Sequence, residues 1–110
     1  MNPGLRKHKQ ASLRIVEPMG LPDHLRSNVR ELASLKSENQ RKGHASALMH
    51  QVCAEADMAA KTLMLLVDQP EGTEPDNEQI KKFYSRFGFN VAQDSPCLML
   101  RLPQKPLIVH

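Results

Sequence analysis

The chain has 110 residues, room for one hydrophobic core but not two, since single-core domains run to about 100 to 150 residues. Hydrophobic residues make up 40% and charged residues 25%, a globular balance that excludes disordered and fibrous classes. The net charge of +3 is split, because residues 68–79 hold five acids and no Lys or Arg between two basic ends. No continuous stripe is left to track a phosphate backbone, and nucleic acid is not the expected partner.

Cys53 and Cys97 allow one bridge at most and neither belongs to a CxxC pair, so a reduced, cytoplasmic protein is the simplest expectation. The basic start, Arg6-Lys7-His8-Lys9, has no apolar run behind it to make a secretory signal, and no stretch approaches the roughly 20 apolar residues of a membrane span. The histidines are scattered, and no metal site is expected.

In chain order, residues 1–11 read as a flexible arm. Ser12 to Glu17 alternates as a strand that Pro18 ends, with Gly20, Pro22 and Asp23 marking a turn. Asn28 to Leu35 is the returning strand of a hairpin, although Leu32, Ala33 and Leu35 break strict alternation. Lys36 to Gly43 is a loop. From Ala45 the apolar residues Leu48, Met49, Val52, Cys53 and Ala56 fall on one helical face. Thr62 to Val67 is the apolar run of a strand covered on both faces, and a crossover through the helix makes it the parallel neighbour of the strand over 29–36.

Two prolines, a glycine and three acids make Asp68 to Pro75 a loop. Asp76 and Gln79 then form an N-cap with a capping-box partner, and Ile80, Phe83, Tyr84 and Phe87 recur at helical spacing before Gly88. Phe89 to Val91 and Cys97 to Leu102 form an antiparallel hairpin. Residues 103–110 read as a second arm, so the whole chain, 1–110, is one domain.

Chemistry concentrates at the passage from a strand into a helix. The unpaired N–H groups of a first helical turn make an anion site, and Gly43 and Ala45 leave the backbone approachable, with Arg41 and Lys42 beside it. The order is neither GxxxxGK[ST] nor GxGxxG. Here the chain resembles the GNAT superfamily of acyl-CoA-dependent N-acyltransferases. Gln40-Arg41-Lys42-Gly43-His44-Ala45 matches its pyrophosphate motif, [Q/R]-x-x-G-x-[G/A]. Asn77, seven residues before Tyr84 and followed by Gly88-Phe89, matches its second signature, over about residues 28 to 102 together.

The resemblance implies an α/β fold in which two parallel strands of a mixed central sheet splay around the cofactor, flanked by two main helices, with the family's N-terminal helices missing. It implies that Leu35, Lys36 and Ser37 offer backbone groups to the pantetheine arm of acetyl-CoA. The motif residue Gln40 and the amides at Arg41, Lys42, Gly43, His44 and Ala45, with Ser46 beyond, would hold the pyrophosphate. Asn77 would contact the CoA arm and Tyr84 would protonate the departing thiolate. Glu31, four residues before Leu35, stands where family members place catalytic residues and is the candidate base. The implied activity is acetyl transfer to a primary amine, of a small molecule or a protein, by direct attack. The alternative is a catalytically reduced CoA-binding module acting through a protein partner. The acceptor side is open, absent, or completed by a second subunit in a homodimer.

Each of these residues also has a structural reading. Gly43 serves a turn, Tyr84 shares the apolar face of Ile80, Phe83 and Phe87, and Glu31 serves as a solvated or ion-paired carboxylate.

Overall fold

A computed structural model describes residues 1–37, 43–72 and 75–104. The described strands are β1 (Gly4–His8), β2 (Ala11–Val16), β3 (Val29–Ser37), β4 (Thr62–Val67), β5 (Asn90–Asp94) and β6 (Cys97–Arg101). The helices are α1 (Asp23–Arg26), α2 (His44–Met58) and α3 (Asn77–Ser85). The strands form one sheet in the order β1-β2-β3-β4-β6-β5. Every pair is antiparallel except β3 with β4, the parallel pair expected from the crossover.

The alternation of β2 sets the core. Ala11, Leu13 and Ile15 are buried on one face while Arg14 between them is exposed. Leu32 pairs with Ile15, and on the far side Leu63 and Leu65 pair with Arg101 and Met99, so all lie on that same face. Helix α2 lays Leu48, Met49, Val52, Cys53 and Ala56 against it. Helix α3 lies beside α2, with the Phe87 ring at the end of α3 5.0 Å from His50.

Arg101 joins the three elements. Its side chain is 4% exposed, its Nε donates to the Phe87 carbonyl at 2.6 Å, and its two terminal nitrogens grip Asp57 of α2 at 2.7 and 3.0 Å. Arg6 of β1 similarly holds Glu55 at 2.7 Å.

Residues 1–11 are therefore no flexible arm. Gly4 to His8 pair with Ile15 to Ala11 as edge strand β1, with Arg6 on the core face. An ion pair spanning 49 residues of sequence holds that face, and no local pattern signals such a contact. The expected turn after Pro18 contains one helical turn, α1. Of the second arm, residues 105–110 lie outside the described residues, while Gln104 donates its backbone N–H to Asp57 at 2.8 Å.

The broken alternation of β3 has a physical cause. Between the pairs Ser12↔Lys36 and Arg14↔Ala33, β3 advances one residue more than β2, a bulge. The extra residue turns Leu35 onto the face of Leu32, where it packs against the core. No described helix is long and apolar enough to cross a membrane.

Two stability predictions arise. Helix α2 ends in a Schellman motif, with Lys61 N–H bonding to Ala56 O at 2.9 Å and Ala60 N–H to Asp57 O at 3.2 Å. Its left-handed residue is Ala60, at φ 54°. Ala60→Gly should raise unfolding stability by about 0.5 to 1 kcal/mol in urea titration.

The Arg101 guanidinium holds the Asp57 carboxyl below its ordinary value, against the opposing effect of burial. A lowered folded-state value means that the contribution is complete above the unfolded value of about 3.9 and is lost as pH falls through the folded one. Asp57→Asn strands the Arg101 charge and should cost about 3 kcal/mol at pH 7. The deficit should shrink below about pH 4 in melts across pH.

Candidate functional site

The site begins where two strands part. Parallel pairing joins Val29, Arg30 and Glu31 to Thr62, Leu63 and Met64 and stops there, although β3 continues to Ser37 and β4 to Val67. A cleft of about 320 Å³ opens beyond this vertex on the helix-covered side of the sheet, within the range of small-ligand sites. Leu35 supplies one wall, and Gly43, Ala45 and Ser46 at the start of α2 close one end. Gln69 and Pro75 of the loop after β4, with Gln79, Ile80, Phe83 and Tyr84 of α3, line the rest.

The two long helices begin differently. Helix α3 has a full capping box, in which Asp76 accepts from the Gln79 N–H and the Gln79 side chain accepts from the Asp76 N–H, both at 2.9 Å. Helix α2 begins at Gly43 with no side-chain cap and no acid in its first turn. Gly43 thus supplies no capping side chain, and the positive end of the helix dipole faces the cleft without an acidic residue in the first turn. Gly43 adopts φ +71°, and a Cβ built there meets no atom within 4 Å, so the backbone stands open.

Tyr84 is buried to 8% exposure, its ring packed edge-on against Phe83 at 5.2 Å and Phe89 at 5.4 Å. Burial pushes its phenol up to about 12 from an ordinary 10, so it keeps its proton through neutral and alkaline pH. It lines the cleft as a neutral hydrogen-bond donor.

The structure thus brings together Leu35, Gly43, Ala45, Ser46 and Tyr84 of the residues singled out in sequence. Lys36 and Ser37 continue β3 beyond Leu35, and their backbones pair with Ser12 and Ala11 of β2. His44 is the first residue of α2, its ring edge-on to His8 at 6.3 Å. Gln40, Arg41 and Lys42 lie outside the described residues.

Asn77 does not line the cleft. Its Oδ1 accepts the Gln69 N–H at 2.9 Å and so holds in place a loop whose Gln69 and Pro75 do. Glu31 also stays out of the cleft. It pairs with Val16 and Met64 at the vertex, on the opposite side of the sheet from Arg30 and Leu32.

Sequence reasoning missed Gln69, Pro75, Gln79, Ile80 and Phe83 as walls. Ile80 and Phe83 carried a signal, the apolar helical stripe, but read as core. Gln69 carried none, because only the Asn77 bond and its own Nε2 bond to the Pro75 carbonyl at 3.1 Å orient it.

No family model matches the chain, and no curated protein sequence matches it. Solved structures do. The anti-CRISPR protein AcrVA5 matches with a TM-score of 0.68 at 15% identity, over 91% of this chain and 98% of that one. An N-acetyltransferase from Staphylococcus aureus matches with a TM-score of 0.66 at 17% identity, over 86% of this chain and 61% of that one. A GNAT family N-acetyltransferase from Escherichia coli, solved in complex with CoA, matches with a TM-score of 0.58 at 16% identity, over 86% of this chain and 52% of that one. The chain thus spans nearly all of the first of these proteins and between half and two thirds of the other two. With its mixed sheet, parted parallel strands and two helices on one face, the chain has the fold of the GNAT N-acetyltransferases.

Proposed function

We propose that the protein transfers an acetyl group from acetyl-CoA to a primary amine. The observation that carries this reading is the cleft at the parted strands, in which the uncapped start of α2 and the neutral phenol of Tyr84 share one apolar-walled space. The amides of α2 suit a pyrophosphate, and Leu35, Ile80 and Phe83 suit the apolar arm and thioester. Gln40, Arg41 and Lys42 extend the anion site in this reading, as their motif implies. Asn77 acts on the site by holding the Gln69 loop.

The reaction joins the amine nitrogen to the thioester carbonyl carbon, breaks the carbon–sulfur bond, and leaves an amide, a thiol and one proton. An alkyl amine near pKa ~10.4 must first lose a proton, and Glu31, directly or through water, is the carboxylate at the vertex that takes it. The departing sulfur needs a donor. A phenol near 12 is too weak an acid to transfer its proton fully to a thiolate whose conjugate acid lies near ~8.5. Tyr84 therefore donates a hydrogen bond that strengthens as charge gathers on sulfur, and solvent supplies the proton in the end.

Calorimetry with acetyl-CoA is the first test; absence of binding at high micromolar cofactor would end the proposal. Tyr84→Phe should lower kcat by about 10²-fold with acetyl-CoA affinity nearly unchanged, whereas equal loss of both would mark Tyr84 as structural. Because burial holds the phenol near 12, the rate should show no alkaline downturn from Tyr84 below about pH 11 in wild-type profiles.

A further inference from the structure

Ser46, Gln69, Gln79 and Tyr84 bring polar side chains to the wall of the cleft, and their polar atoms are not equally free. The Gln79 side-chain oxygen already accepts the Asp76 N–H in the cap of α3. Gln69 is held at two points. Its backbone N–H donates to Asn77 Oδ1 at 2.9 Å, and its Nε2 donates to the Pro75 carbonyl at 3.1 Å. The second bond fixes which way the side-chain amide faces, because the reverse orientation would set two carbonyl oxygens against each other. Gln69 Oε1 accepts no hydrogen bond among the described residues. A half-buried amide oxygen in a cleft walled by Leu35, Ile80 and Phe83 favours an N–H donor on whatever fills that cleft.

The height of that oxygen along the cleft follows from α3. Gln69 is bonded to Asn77, and Tyr84 lies seven residues further along the helix, about 10 Å at its rise per residue. The pantetheine arm of CoA carries two secondary amides, whose nitrogens are three and seven bonds from the sulfur. At the ~3.5 Å per three bonds of an extended chain, they lie ~3.5 and ~8 Å from it. With the sulfur beside Tyr84, the second amide is the one that comes level with Gln69.

We propose that Gln69 selects the donor thioester by accepting, at Oε1, the N–H of the second pantetheine amide, and that Asn77 is a positioning residue that acts through Gln69. The proposal rests on the acetyl-transfer reading, which places the sulfur beside Tyr84. It moves the contact with the CoA arm from Asn77, where the resemblance implies it, to Gln69, because Asn77 Oδ1 is engaged by the Gln69 N–H and Asn77 does not line the cleft. A thioester without that amide leaves the Gln69 oxygen desolvated and unpaired, which is how a polar site rejects an analogue that lacks its partner.

The test is calorimetry with acetyl-CoA and two analogues, one with CH2 in place of the second amide N–H and one with CH2 in place of the first. The wild type should bind the second-amide analogue about tenfold more weakly than acetyl-CoA. Gln69→Leu should bind the two with equal Kd, and the smaller change Gln69→Ala should do the same. Each comparison is made within one protein, so a variant that only loosens the fold weakens both ligands and keeps the gap. Asn77→Ala should narrow the gap by about threefold, whereas Asn77→Asp, which retains an acceptor for the Gln69 N–H, should keep it. Asn77→Ala added to Gln69→Leu should cause no further loss of acetyl-CoA affinity. A gap absent from the wild type, a gap that persists in Gln69→Leu, or one that Gln69→Leu erases for the first-amide analogue instead overturns the role of Gln69. An Asn77→Ala variant that keeps the full gap, or that weakens acetyl-CoA equally with and without the Gln69 amide, overturns the positioning role. Failure of the wild type to bind acetyl-CoA sinks the underlying reading instead.

Discussion

Everything about the site depends on a parallel ladder that is only three pairs long, Val29 to Glu31 against Thr62 to Met64. Parallel strands fully paired along their length would fill the sheet with main-chain bonds and leave no cleft. Here the bulge between Ala33 and Lys36 keeps β3 bonded to β2 while its other edge separates from β4. The same bulge rotates Leu35 into the cleft wall. The ladder to β4 ends at Glu31, ahead of the bulge, and the bulge then gives the parted stretch of β3 an apolar side chain facing the cleft.

Charge is distributed around that space by how each helix begins. Asp76 and Gln79 consume the end groups of α3 in a reciprocal cap, whereas α2 enters through a bare left-handed glycine. A side-chain cap at position 43 would bond one of the amides and add bulk where the backbone is now open. The cost to α2 is a start without a side-chain cap, offset by a face that buries five residues, Leu48, Met49, Val52, Cys53 and Ala56. The far end of α2 is secured instead by the Arg101–Asp57 pair, which leaves the near end free to differ.

Local patterns made much of this legible. Asp76, Gln79 and Gly88 announced both ends of α3, the stripe from Ala45 to Ala56 announced α2, and the run Thr62 to Val67 announced a strand, because each signal acts within a few residues; the expectation that this strand is covered on both faces was wrong, since only Leu63, Leu65 and Val67 are buried while Leu66 is 52% exposed. Strand β1 was not legible: its inward residue is Arg6, whose partner Glu55 is 49 positions away, and an arginine facing the core reads as a solvated arm. Nor did the sequence show that Glu31 faces away from the cleft, since the side taken by a residue of β3 depends on register with β2 and β4. Asn77 illustrates the same limit. Its spacing from Tyr84 was readable, but its bond to Gln69 N–H was not.

Tyr84 shows how the core and the chemistry are joined. Its ring is part of the buried cluster and touches Phe83 and Phe89, while the residue also lines the cleft. Packing on this scale fixes the ring plane, so the position of the phenolic oxygen is set by the core rather than by a hydrogen-bond partner. The same burial that fixes it raises its proton affinity to about 12, which removes Tyr84 as an ionisable acid near neutrality and retains it as a donor. Glu31 lies on the opposite face of the sheet, so its carboxylate does not share that apolar space.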